Sequence, residues 1–531
     1  MSQAFTGGRW ASAVLVALLA VCSRASAQAG QAGQAAPGAS QPAGPVRALS
    51  VEEAVALALE NNLNIQSERL NPQIQDLSVV QARAAWLPTF TTAVQTSSSN
   101  SPVGNIFAGA QEKLTTDRFA ANIGVDQVLP WGGGTYSVAW DTSRQESNNI
   151  FATRNPTLGA GLDLSYTQPL WRNFSIDSAR QQLQVSLNAR QVADLALRQT
   201  IVATTRNVRN AYWEMSYQIA SLAVQRQSLE LARESLRNNR ARVEIGTMAP
   251  IDIIEAQAEV AAREEAVIVA EAAVAQAEDR LRTLVFDPKD PNFWTMRLEL
   301  TDQPAFEARD IDIEAAVTRA ISERTDLLQA RRDLETADIN IKFYRNQTRP
   351  DVNLQARYSV AAQGGIERKI SGGLENPVVE QETKRSYGQV MRSLFGQDFP
   401  TWSIGVQIGY PIGRSGAEAN LARATVQRRR TETEIRNLEM QIATQVRDLG
   451  RQVNTNRKRV EATRASRELA ERRLEAEQKK FAAGMSTSYF VFQAQRELAI
   501  ARNAELRATL DYNRSLVDFE TSQTAPVGGG M

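Results

Sequence analysis

The chain has 531 residues, 43% of them hydrophobic and 22% charged, and its 60 basic residues stand against 59 acidic ones for a formal net charge of +1. Charge this balanced and interspersed leaves no electrostatic footprint for nucleic acid. Histidine is absent and the single cysteine, Cys22, lies in the leader, so the processed chain is expected to have no imidazole base, thiolate nucleophile, thiolate zinc site, or histidine or thiolate haem ligand, and neither metal nor cofactor is expected.

Residues 1–27 read as a secretory signal: Arg9 supplies the positive n-region, Trp10 to Val21 the apolar stretch, and Ala25-Ser26-Ala27 a small-residue cleavage site. Leu19-Ala20-Val21-Cys22 offers lipoprotein processing as a second reading, leaving a lipidated Cys22. The bulk of Val21 favours instead an incidental small hydrophobe in the h-region. Residues 28–48, rich in Gln, Ala, Gly and Pro, predict a disordered linker, and 525–531 a disordered tail. No later segment approaches the ~20 apolar residues of a membrane helix, so the exported chain is periplasmic, secreted or a β-barrel.

From 49 to 285 the pattern forms one unit. Ser50 caps a short helix over Val51 to Glu60, and a second helix covers Asn64 to Trp86, bent or interrupted at Pro72. Phe90, Thr92 and Val94 begin a faint strand. Phe119 to Val125 and Tyr136 to Trp140, joined by Pro130-Trp131-Gly132-Gly133-Gly134, predict a hairpin over 119–142 that belongs either to a barrel wall or to an outer loop. Leu158, Ala160, Leu162, Leu164 and Tyr166 then alternate with small and polar residues. Strict period-two alternation is the signature of strands with lipid on one side and water on the other, though a soluble sandwich produces it too.

No proline or glycine interrupts Ser175 to Glu244, and Ile201, Val208, Met215, Leu222, Leu229, Leu236 and Val243 recur every seventh residue. This predicts a supercoiled helix spanning on the order of 100 Å. Gly246 and Thr247 form a tight tip, and a returning helix repeats the spacing through Ile253, Val260, Val267, Val274 and Leu281, with alanines permitting close antiparallel packing. An ordinary two-stranded coiled coil explains the helices alone, but one pair cannot bury both flanks of its stripe, which points to a cylinder of several chains.

After a linker at 286–310, residues 311–524 repeat the unit. Pro88 matches Pro350, Val208 matches Val446, and Gly246 matches Gly484, which with Met485 forms the second tip. Val352 to Val360 and Trp402 to Tyr410 show the same alternation, the latter with an aromatic at each end. Gly364-Gly365 and Gly372-Gly373 are placed in a loop between strands, where they are no phosphate cradle. No paired acid, nucleophile elbow or phosphate loop stands out, so the chain is not read as an enzyme.

The opening Leu49-Ser50-Val51-Glu52-Glu53-Ala54-Val55, the strand ends Ser165-Tyr166-Thr167-Gln168-Pro169 and Gln407-Ile408-Gly409-Tyr410-Pro411, and the duplicated glycine tips resemble the TolC-like outer-membrane efflux proteins over nearly the whole mature chain. The resemblance implies an α+β membrane protein in which strands from a homotrimer, four or six per chain, close one outer-membrane β-barrel continued by a periplasmic α-helical barrel. It implies a passive exit duct from a periplasmic membrane-fusion adaptor and an inner-membrane pump of resistance-nodulation-division or ABC type. Gly246, Thr247, Gly484 and Met485 then form the adaptor-docking tips. Asp252, Glu255, Tyr489, Phe490 and Gln493 line the periplasmic aperture, with Phe492 narrowing it. Family members often carry acids just past the second tip; here Phe490 and Gln493 stand there, and Asp252 and Glu255 follow the first tip, either as an acidic ring or as acids favouring a helix N-terminus. A periplasmic coiled-coil adaptor without a pore is the competing reading.

Overall fold

The computed structural model describes residues 45–103, 112–303, 306–371, 378–413 and 415–527. The signal segment with Cys22, Gly372-Gly373 and residues 528–531 lie outside the described residues.

The chain runs β1 (Val46–Leu49), α1 (Val51–Asn61), α2 (Leu63–Glu68), α3 (Leu70–Arg83), β2 (Thr89–Pro102), β3 (Lys113–Val128), β4 (Thr135–Ser147), β5 (Arg154–Pro169), α4 (Ser178–Glu244) and α5 (Ile251–Val285). It continues β6 (Arg297–Leu300), α6 (Ile313–Glu323), α7 (Thr325–Gln347), β7 (Asp351–Ser371), β8 (Val378–Arg385), α8 (Tyr387–Phe395), β9 (Pro400–Gly409), α9 (Gly416–Ala482) and α10 (Ser488–Ser522). The duplication holds in length: α4 and α9 have 67 residues each, α5 and α10 have 35 each.

Local signals set most helix ends. Ser50 and Glu53 make a reciprocal capping box at α1, and Asp177 and Ser415 accept backbone N–H bonds at the starts of α4 and α9. The second short helix of the first repeat breaks at Arg69 rather than at Pro72. Pro72 falls in the first turn of α3, where its missing N–H is no loss. The heptad residues of α4 are all buried or half-buried.

Order extends beyond the expected boundaries at both linkers and at the tail. Val46–Leu49, which begins inside the expected disordered stretch, pairs in parallel with β6, inside the expected inter-repeat linker. The reason is apolar: Leu49, Phe286, Phe293, Met296 and Leu298 close the end of a core built on Val208, Tyr212, Met215, Leu281 and Val285. The phenol of Tyr212 donates to the Leu49 carbonyl at 2.9 Å and accepts from the Asp302 N–H at 3.0 Å, tying both linkers to α4. The second repeat has its own core, where Ile442, Val446, Val453 and Val460 of α9 meet Ala508, Tyr512 and Phe519. At the tail, Ala525 is buried and Val527 accepts a bond from Gln445.

One sheet runs β2-β3-β4-β5-β7, with β9 and then β8 sharing the far edge of β7. The 119–142 hairpin is therefore part of the sheet, between β2 and β5. Gly364 and Gly365 lie within β7 rather than in a loop. A Cβ on Gly365, at φ +111°, would meet the Pro156 carbonyl oxygen at 1.9 Å, so the close crossing with β5 requires glycine there.

The register places Phe90, Val125, Val138, Leu164, Tyr358 and Trp402 in one row across six strands, and Thr92, Ile123, Trp140, Leu162, Val360 and Pro400 in the next row on the same face. The opposite face carries Asp163, Ser165, Arg357 and Ser403, with Arg357 Nε donating to Asp163 at 2.9 Å. Near the end of the sheet remote from the helices, α8 lays Val390 and Leu394 on the apolar face beside Ala160 and Val360. No helix among the described residues is long and apolar enough to cross a membrane.

Candidate functional site

The helical end remote from the sheet holds both tips. Gly246 (φ +79°) and Gly484 (φ +77°) are left-handed, a conformation that is cheap only for glycine. Each closes the same motif. Gly246 N–H donates to the Val243 carbonyl and Thr247 N–H to that of Arg242, both at 2.9 Å; Gly484 N–H donates to Phe481 at 3.1 Å and Met485 N–H to Lys480 at 2.9 Å. This paired closure satisfies the last carbonyls of α4 and α9 and turns the chain back at once. Thr247 adds a hydroxyl bond to the Arg242 carbonyl, while Met485 presents an exposed thioether.

Past the first turn, Asp252 stands half-buried in the first turn of α5 and Glu255 one turn on, exposed. Asp252 accepts from Ser488 Oγ at 2.9 Å, joining the first hairpin to the second. Ser488, buried at the start of α10, was not marked by the sequence; a lone serine after a tip carries no periodic signal, and only the packing of the hairpins gives it a partner. The Asn239 amide also reaches the Asp252 carbonyl, at 3.4 Å. Asp252 thus stands in the first turn of a helix, as one of the two sequence readings has it, and also makes a contact between the tips that neither reading contained.

Past the second tip, Tyr489 and Phe490 are exposed and meet edge to face at 5.6 Å. Gln493 turns back to Glu497 at 3.0 Å. Phe492 points inward and is buried, lining a cavity of about 310 Å³ between the hairpins with Leu231, Asn239, Phe481 and Gln495. Only two of the three aromatics are free to line an opening, because α10 at this point already presents Val491 and Phe492 to its neighbours. Arg242 lies over the Phe481 ring at 4.4 Å, a second link between the two tips.

Higher up, polar side chains join α4 to α10: Gln495 to Ser235 at 3.4 Å, Arg502 to Gln227 at 2.6 Å, Asn503 to Ser221 at 3.1 Å, and Arg514 to Glu214 at 3.0 Å. Such a seam can slide at less cost than an interdigitated apolar one, because each bond has water as a substitute. Among the described residues no cluster of acids is arranged to hold a metal ion.

A family model described as "Outer membrane efflux protein" matches residues 54–285 and 316–522. Among curated proteins, nodulation protein T of Rhizobium leguminosarum bv. trifolii is 22% identical over 448 residues, covering 82% of this chain and 86% of the relative. Among solved structures, a membrane protein from Pseudomonas aeruginosa superposes with a TM-score of 0.64 at 16% identity, covering 89% of this chain and 92% of that one. The Campylobacter jejuni CmeC outer membrane channel gives 0.63 at 14% identity over 89% and 85%. The open state of the Neisseria gonorrhoeae MtrE outer membrane channel gives 0.59 at 16% over 90% and 89%.

Proposed function

Since this chain belongs to the outer membrane efflux protein family, we propose that it is the passive exit duct of a tripartite efflux or type I secretion system. It carries small molecules or polypeptides from a periplasmic adaptor and an inner-membrane pump to the exterior. Its place is the Gram-negative outer membrane, with the helices extending into the periplasm, and channels of this family work as homotrimers with adaptor and pump partners.

The observation that carries the reading is the row from Phe90 to Trp402 on a sheet with two open edges. Among the described residues β2 pairs only with β3, and β9 only with β7. Unpaired edges cannot be left in hydrocarbon, so three copies close the barrel edge to edge, each giving six strand columns. The apolar rows face lipid, and the Asp163–Arg357 side faces the water-filled lumen.

The tips are the docking and gating end. Gly246, Thr247, Gly484 and Met485 present the adaptor with compact backbone turns. Asp252, Glu255, Tyr489, Phe490 and Gln493 surround the aperture. The Asp252–Ser488 and Arg242–Phe481 links hold each chain's tips together, and the polar seam above them lets the ends part like an iris when adaptor contacts offset their loss. The purified, unheated trimer is expected to give discrete conductance steps in planar bilayers. A trimer that conducts nothing under any condition sinks the duct and leaves a structural coiled coil.

A further inference from the structure

The two repeats carry the same ion triad below the sheet. Arg190 Nε donates to Asp76 at 2.7 Å while its Nη1 pairs with Asp194. At the matching positions, Arg428 Nε donates to Asp338 while its Nη1 pairs with Glu432. The triad locks each short helix, α3 or α7, to its long partner.

The second repeat adds charge that this lock does not use. It has Lys342, Arg349 and Arg429 where the first has Val80, Leu87 and Gln191, and it keeps Arg345 opposite Arg83. Among the described residues, none of these four second-repeat side chains makes an ion pair or hydrogen bond. With Asp338 and Glu432 both engaged by Arg428, the four cations line one groove of about 640 Å³ between α7 and α9. Unpaired like charges in one groove repel, so an anion seated among them is stabilised by every member.

The level of the groove identifies the anion. Arg349 stands two residues before β7, whose first residues are joined to the end of β5 by the Leu170 N–H to Val352 carbonyl bond of 2.8 Å and the Arg172–Asp351 pair. Exposed Trp171, Phe174 and Tyr410 stand at the same end of the sheet, as an aromatic belt does at a membrane interface. Lys342 lies two helical turns below Arg349, about 10 Å deeper. The groove therefore begins at the phospholipid headgroups of the periplasmic leaflet and runs down from them.

We propose that this groove is a binding site for the phosphodiester of an anionic phospholipid from the periplasmic leaflet, one per protomer. The guanidinium groups of Arg345 and Arg349 supply forked donors to phosphate oxygens, and Lys342 and Arg429 supply charge from below.

The test is native mass spectrometry of the full-length trimer titrated with phosphatidylglycerol or phosphatidylcholine. A variant carrying the first repeat's residues, Lys342→Val with Arg349→Leu and Arg429→Gln, is expected to bind phosphatidylglycerol about 100-fold more weakly, roughly fivefold per cation removed. Arg430→Gln, which breaks an exposed pair with Glu434 outside the groove, is expected to bind like the parent. Should the triple variant not trimerise, Arg349→Gln alone is expected to show the single-cation loss. Undiminished phosphatidylglycerol binding, or equal binding of the two lipids by the parent, overturns the proposal. Displacement of the lipid by millimolar inorganic phosphate alone also overturns it, because the site would then take a free anion.

Discussion

α5 and α10 occupy the same place in the duplication and have the same length, yet they live in different surroundings. α10 buries fifteen of its residues, among them Leu498, Leu510, Tyr512 and Phe519, because α9 flanks it on one side and α4 on the other. α5, packed mainly on α4, buries five and leaves Ile251, Ile254, Ile268 and Val269 exposed. α9 likewise exposes Val426, Met440 and Leu469. Duplication copied the hairpin, but a single chain can give only one hairpin an inner position. In the proposed trimer, neighbouring copies cover these exposed residues of α5 and α9.

That difference is broken most severely by substitution along the two helices. Leu510→Ala in α10 is expected to destabilise the chain by about 2–5 kcal/mol, since the cavity cannot collapse between two helices. Ile268→Glu in α5 is expected to leave helical content by circular dichroism intact and to abolish the trimer on unheated gels. Persistence of the trimer would remove α5 from the seam between copies.

The two cores offer a finer comparison. Tyr212 satisfies two backbone groups in the first core, and Tyr512 does the same in the second, donating to the Glu307 carbonyl at 2.8 Å and accepting from the Arg309 N–H at 3.1 Å. Tyr212→Phe orphans both partners and is expected to cost about 1–3 kcal/mol in thermal unfolding. Burial pushes the Tyr212 phenol above its ordinary value. The folded state therefore holds the proton more tightly. That contribution is full below the unfolded value near 10 and is lost as pH rises through the folded one. The alkaline fall in melting temperature is expected to be shallower in Tyr212→Phe.

At the tips the asymmetry is smaller. A Cβ at Gly246 or Gly484 meets nothing within 4 Å, so valine there costs only the left-handed backbone, about 1–2 kcal/mol. Both variants are expected to trimerise and fail in export; undiminished export would end the docking role. Gly246→Val is expected to loosen its tip more, in hydrogen exchange, because the second tip has a cluster of Leu474, Val491, Ala494 and Leu498. The smallest effect expected is from Ser488→Ala, which frees Asp252 at about 1 kcal/mol and raises the open fraction in bilayer recordings.

What could be read in the chain follows from where each signal resides. The heptad of α4, the cap at Ser50 and the glycine turns at Gly246 and Gly484 are local, settled within about one helical turn of backbone. Period-two alternation likewise marked Leu158 to Tyr166 and Trp402 to Tyr410 as strands with one apolar face. Residue types and their spacing by themselves therefore determined the duplication, the long hairpins, the two-faced strands and the absence of histidine chemistry. Tertiary structure alone decided that the 119–142 hairpin enters the sheet and that β1 reaches β6 across some 250 residues. It also decided that Phe492 turns inward while Tyr489 stays out, that Ser488 finds Asp252, and that four unpaired cations share one groove. Each of these joins residues whose separation along the chain carries no period, so only the packed structure can bring them together.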